Sequence, residues 1–290
     1  MISTNTRLHK PAVAGSSPAA ATCHSPAEEY HGWPETSCSD LKLLRESPRK
    51  YYLRKVAGVA PPASSAAFDY GTLLHTWGEL GDEEFWRRAA VPDASLCTAA
   101  GAMGAKAKGW LDDLPPDAIP VSPADEAKLR PQTEALLAHP EVRRIIAATE
   151  DAEFNVRSTL AGHSVRGRID GRTAAYGFDW KTTKDPNPLR TWWRAVIDFG
   201  YHLQSAFYTE LLTHIGMPRE RLRFVVTSTV WPYECAVVVL PTELCAKGHR
   251  ECLRLLDELQ SRREWDCWER HDTSGVVTLD VPAFAMKGAR

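Results

Sequence analysis

The sequence predicts a mixed α/β (α+β) domain in which a central β-sheet is flanked by helices. Two observations predict it. From residue 151 the apolar period shortens to two over three successive runs, whereas upstream, and again from residue 189, apolar residues recur at helical spacing. A chain of 290 residues, 43% hydrophobic and 9% aromatic, also has material for one large core without staples.

Residues 1–28 are rich in Ala, Ser, Pro and Thr without periodicity, and read as a disordered lead-in. Residues 29–290 read as a single domain. At Thr36-Ser37-Cys38-Ser39-Asp40 a group of capping residues precedes LKLLRESPRKYYLRKV, which Pro48 divides into two short helices, one of them basic. FDYGTLLHTWGEL is helical by the spacing of Leu73, Leu74 and Trp77, and sets His75 and Glu79 on one face. Pro and Gly interrupt residues 92–124, which read as a long loop holding a short helix. Residues 125–148 are helical, with Leu129, Leu136, Leu137, Ile145 and Ile146 inward.

AEFNVRSTL, HSVRGRID and AAYGFDWKTT then read as three strands of an antiparallel meander, turning around Gly162 and Gly171. Residues 189–215 return to a helical pattern. RLRFVVTSTVW and YECAVVVL make two more strands, a last helix covers 242–263, and the tail from Trp265 is aromatic and then strand-like. No apolar run approaches the roughly 20 residues that a bilayer requires. The start lacks the continuous apolar core of a signal peptide, so a soluble, cytoplasmic protein without membrane contact is expected. Seven cysteines without a Cys-x-x-Cys pair suggest neither a disulfide framework nor a compact zinc site. The net charge of −2 supplies no global positive field, so any contact with nucleic acid has to be local.

The chemistry concentrates in GRIDGRTAAYGFDWKTTK. Alternation along a strand projects Asp179 and Lys181 from one face and Phe178 and Trp180 from the other, with Asp170 ending the strand before. Two carboxylates converging beside an ammonium are costly unless hydrated or paired, and a divalent cation removes that cost. Magnesium takes a few carboxylate oxygens and leaves room for phosphate oxygens, which suits phosphodiester hydrolysis. Taken alone, the hairpin reads more readily as a solvated charged surface.

Three further pieces change that balance: GTLLH upstream, the extension DWKTT, and YHLQSAFY on the following helix. In the order GTLLH, GRIDG, DWKTT and QSAFY, the chain resembles the PD-(D/E)XK nuclease superfamily in its RecB-like branch. TSCSDLKLLRESPRKYYLRKV, YGTLLHTW, FGYHLQSAFYTELL and ECLRLLDELQSRREWDCW are similar to the exonuclease VIII (RecE-type) nuclease domains of phage recombination systems. The resemblance spans about residues 30–285.

The resemblance implies a restriction-endonuclease-like core and a Mg²⁺-dependent exodeoxyribonuclease, with Mn²⁺ as a substitute. The side chains of His75, Asp170 and Asp179 and the backbone carbonyl of Trp180 would be metal ligands. Asp170, Asp179 and Lys181 would be catalytic, and Gln204 and Tyr208 would orient the site or the strand. Linear double-stranded DNA degraded 5′ to 3′ is the implied substrate, a single-strand annealing protein the implied partner, and a homo-oligomer the implied assembly. Rival readings are a structure-specific or restriction-type endonuclease and an inactive DNA-binding scaffold. Glu79 and Glu153 are set aside as solvated charges, with Glu153 the better outsider. Arg45, Arg49, Lys50, Arg54, Lys55, Arg166, Arg168, Lys184, Arg190 and Arg194 are candidates for gripping phosphates. Trp192 and Trp193 suit base stacking or core, with at least one in the core. Cys38, Cys245, Cys252 and Cys267 lie in the sequence order of an iron-sulfur cluster seen in some related nucleases, but without its tight spacing.

Overall fold

The structure, a computed structural model, describes residues 21–23, 27–59 and 66–268 together with 276 and 278. In chain order it comprises β1 (Ala21–Cys23), α1 (Ala27–Gly32), β2 (Thr36–Ser37), α2 (Cys38–Glu46) and α3 (Pro48–Tyr51), which runs into a π-helical turn at Tyr52–Val56. There follow α4 (Ala66–Leu80), α5 (Asp82–Arg88), β3 (Ala89–Ala90), α6 (Lys108–Asp112), β4 (Ile119–Pro120), α7 (Pro123–Ala138) and α8 (Pro140–Ala148). The rest is β5 (Asp151–Leu160), β6 (His163–Arg172), β7 (Gly177–Thr183), α9 (Pro188–Asp198), α10 (Tyr201–His214), β8 (Arg223–Ser228), β9 (Cys235–Val239) and α11 (Thr242–Trp265).

The predicted fold class is the one observed. Among the described residues seven strands form a mixed sheet in the order β1-β5-β6-β7-β8-β9, with β2 paired to β6 as a side branch. β5, β6 and β7 are the expected antiparallel meander. β7 and β8 are parallel, joined by the crossover through α9 and α10. Helices cover both faces. Leu41 of α2, Trp192 of α9, Leu203 and Phe207 of α10 and Leu255 of α11 bury one face against Phe154, Ile169 and Phe224. Leu74 and Trp77 of α4, Leu129 of α7 and Ile145 of α8 bury the other against Phe178 and Trp180.

Several boundaries differ from those expected, each for a local reason. β1 pairs antiparallel with β5, and α1 begins at Ala27, both within the span read as a lead-in. Residues 1–20 and 24–26 lie outside the described residues. The stretch 189–215 is two helices because Gly200, at φ +64°, breaks it. The stretch 125–148 is two helices because Pro140 opens the second behind the His139 cap. The turn placed around Gly171 falls at Thr173–Tyr176, with Thr173 N–H donating to Tyr176 O at 2.9 Å. Gly171 itself lies in β6 opposite Phe178, where any side chain would strike the Phe178 ring. α11 extends to Trp265, and the strand-like tail falls almost wholly outside the described residues. Among the described residues no helix is long and apolar enough to cross a membrane.

The pairing of β6 positions everything that follows. β5 occupies one of its edges from end to end. On the other edge β2 pairs at Val165 and Arg166, and β7 pairs at Gly171 and Arg172. Between them, Gly167 to Asp170 meet no strand on that edge among the described residues. A cleft opens there, floored by the sheet and walled by α2, α4 and α10.

Candidate active site

The register of β6 and β7 would bring Asp170 opposite Asp179 at the next pair, and the ladder stops just before it. The two strands part at the two aspartates. Trp180 N–H, past the end of that ladder, donates to Asp170 Oδ2 at 2.7 Å, so the carboxylate replaces a strand as its partner.

His75 is delivered to this point by α4. Gly78 lies three residues on, on the same helical face, and a Cβ there would sit 2.5 Å from Trp180 Nε1. The missing side chain lets α4 settle directly on β7. His75 Nδ1 then stands 3.3 Å from Asp170 Oδ2 and 3.5 Å from Glu153 Oε1. One donor atom from each of His75, Glu153 and Asp170 lies within 4.8 Å of the other two.

Glu153, set aside in the sequence reading, is therefore part of the cluster. A countable signal pointed to it: the turn at Ala161–Gly162 sets Leu160 opposite His163, and the same register carried seven pairs on sets Glu153 opposite Asp170. Glu153 has φ +48° between the regular pairs on either side, a conformation costing a non-glycine residue about 1–3 kcal/mol. Arg168 Nε donates to its Oε2 at 2.7 Å.

Asp179 lines the same cleft as His75 and Asp170. It lies at the same parting of strands, but its Oδ1 accepts from Gln204 Nε2 at 2.6 Å and its Oδ2 is paired with Lys181 Nζ. The two groups that converge with His75 are Glu153 and Asp170. Lys181 Nζ also donates to the Trp180 carbonyl at 3.2 Å, so this carbonyl faces the cleft beside the lysine. Gln204 is held from its other end by Lys42 Nζ, which donates to Oε1 at 2.8 Å. Tyr208, one turn further along α10, is buried in the wall of the same cleft.

The electrostatics follow from crowding acids in a buried place. Burial and the neighbouring Asp179 charge raise Asp170 to about 7. Burial would lower His75, but the Asp170 charge and the Glu153 contact outweigh it and raise it to about 9. Burial likewise opposes the charge on Lys181, and the Asp179 and Asp170 carboxylates overcome it, holding the group above the usual lysine range as a firm ammonium. Glu153 is held low despite its burial, through His75 and Arg168. The cleft measures about 1560 Å³, above the roughly 300–1,000 Å³ of small-molecule pockets, and suits a polymer better than a metabolite.

Other expectations resolve one by one. Arg166 is buried and donates to the Tyr30 carbonyl, Arg168 serves Glu153, and Arg190 is paired with Asp185. Trp192 is core, and Trp193 is exposed. Cys245 lies in the first turn of α11 and Cys267 just beyond its far end, about 30 Å away at 1.5 Å per residue, so the four cysteines cannot share one cluster. Cys252 is buried, its thiol donating to Leu203 O.

Comparison with known proteins agrees with this geometry. Residues 35–272 match the sequence profile of the PD-(D/E)XK nuclease superfamily. A crystal structure from Eubacterium rectale, described as a "putative exonuclease", superposes with a TM-score of 0.59 at 13% identity, covering 92% of this chain and 100% of the other. At that identity the likeness speaks for the fold. No curated protein matches the sequence significantly. With the profile spanning most of its length and the Asp, Asp-x-Lys hairpin parting at the cleft, the chain belongs to the PD-(D/E)XK nuclease superfamily.

Proposed function

We propose that this chain is a metal-dependent exonuclease that hydrolyses phosphodiester bonds of linear double-stranded DNA from 5′ ends, exposing single strands for recombination as RecE-type enzymes do. One observation carries the reading: the His75, Glu153 and Asp170 donors meet in the same cleft as the Asp179–Lys181 pair. The two carboxylates supply hard oxygens that suit Mg²⁺ or Mn²⁺, and the imidazole is a borderline nitrogen donor that favours Mn²⁺ of the two. Asp170, reluctant to ionise where it is buried, is the group a cation would relieve. Asp179 and the Trp180 carbonyl border the same gap and would complete the set.

When bound, the ion polarises the phosphate and lowers the pKa of a water. The chain's own groups supply the rest. Lys181 stays an ammonium and offers its charge to the oxygens that become negative as the bond to phosphorus breaks. Gln204 fixes the direction of the Asp179 carboxylate, and Tyr208 backs the strand that carries Asp170. The resemblance further supports a homo-oligomer, a single-strand annealing partner and a cytoplasmic setting.

The test is linear duplex DNA labelled separately at each end, incubated with Mg²⁺ or EDTA. Wild type is expected to release nucleotides from 5′ ends only with metal, and Lys181→Ala to lose at least about 10³-fold in rate while keeping its fold. Cleavage of closed circles would transfer the reading to an endonuclease. Binding without cleavage of any form would transfer it to a scaffold.

A further inference from the structure

Lys42 enters the reaction just described only through its hold on Gln204, yet it is placed like a cation waiting for an anion. α2 starts directly from β2, capped by Ser37 and Asp40, and its second turn leans over the gap in the β6 edge. Three other cations of this region are engaged, whereas Arg54 is exposed at the rim. Lys50 pairs with Glu46, Lys55 with Asp40, and Arg45 donates to the carbonyls of Ile197 and Asp198. Lys42 is held by neutral groups, the Gln204 carbonyl oxygen at 2.8 Å and the Tyr201 ring at 5.1 Å. Among the described residues no carboxylate pairs with it. The same Tyr201 ring lies 5.2 Å from Lys181 Nζ, so one aromatic surface carries both ammonium groups at the cleft.

An ammonium taken partly out of water and given only neutral acceptors is poorly repaid for its lost hydration, and a charge-assisted bond to a phosphate oxygen repays it better. We propose that Lys42 is a phosphate-contacting residue, whose ammonium leaves Gln204 Oε1 for a non-bridging oxygen of the DNA strand lying in the cleft. The inference rests on the nuclease reading and adds a determinant of strand affinity that ignores sequence. Gln204, released on one side, keeps its bond to Asp179.

The experiment measures binding of a fluorescent linear duplex by anisotropy, with Ca²⁺ in place of Mg²⁺, across about 50 to 200 mM salt. Lys42→Met is expected to weaken binding and to reduce the slope of log Kd against log salt by about 1. Lys42→Arg should restore the slope. Mn²⁺ affinity, measured by calorimetry, should be the same in all three proteins. An unchanged slope in Lys42→Met overturns the inference. So does a loss of Mn²⁺ affinity without a change of slope, which would make Lys42 a prop for Gln204 and Asp179. Failure of the wild type to bind duplex at all would instead remove the nuclease reading.

Discussion

Replacing Asp170 by Asn should make the metal-free protein more stable while destroying its response to metal. Burial and the Asp179 charge raise the Asp170 carboxyl from 3.8 to about 7. At pH 8 that rise corresponds to about 4 kcal/mol against the ionised form, at 1.36 kcal/mol per pH unit. Asparagine keeps an oxygen for the Trp180 N–H and carries no charge. His75 loses its counter-charge in the exchange, so a net gain of about 2 kcal/mol is expected. The sign depends on pH. The folded pKa lies above the unfolded one, so the native state loses stability as pH rises from about 4 to about 7, and the variant's advantage grows over that window and then levels. With Mn²⁺ the order reverses, because a ligand at 100 times its Kd adds about 2.7 kcal/mol to a protein that binds it. Urea unfolding followed by tryptophan fluorescence, in EDTA and in Mn²⁺ at pH 5 and 8, measures all four values. A variant less stable than wild type in EDTA at pH 8, or one that Mn²⁺ stabilises equally, would refute the reasoning.

Glu153→Gln should lower Mn²⁺ affinity at least about tenfold with little change in fold, measured by calorimetry. An unaltered affinity would return Glu153 to the role of a partner for Arg168. Mn²⁺ affinity should climb between pH 6 and 9, since Asp170 near 7 and His75 near 9 must each give up a proton to bind. A flat profile would mean that neither is a ligand. Gly78→Ala should cost about 1–3 kcal/mol in thermal unfolding by pushing against the Trp180 ring, and should weaken Mn²⁺ binding because His75 is carried away with the helix.

Much of this architecture could be read from the residues, and what could not has a physical cause. The strands at 151–183 announce themselves by alternation, because one residue in two is buried. Helix breaks at Gly200 and Pro140 escaped a reading by apolar period, since the period continues through them. The cleft residues His75, Asp170, Asp179, Lys181, Gln204 and Tyr208 were identifiable by order and type, and all of them line one cavity. Glu153, the second acid beside His75, could have been found by counting along the β5–β6 register from the turn at Ala161–Gly162, which apolar alternation alone does not do. Lys42 was one basic residue among many until α2 was seen to cross above Gln204.

The gap on the β6 edge also says which changes of length this protein can survive. Its opening is bounded by two chain segments that approach each other head-on and stop short, Ser37 from one side and Phe178 from the other. Two more paired residues on each would zip the edge shut and bury the floor of the cleft beneath ordinary sheet. Insertions should be tolerated around residues 98–118, far along the chain from both segments, and excluded from the few residues that leave the opening unsewn.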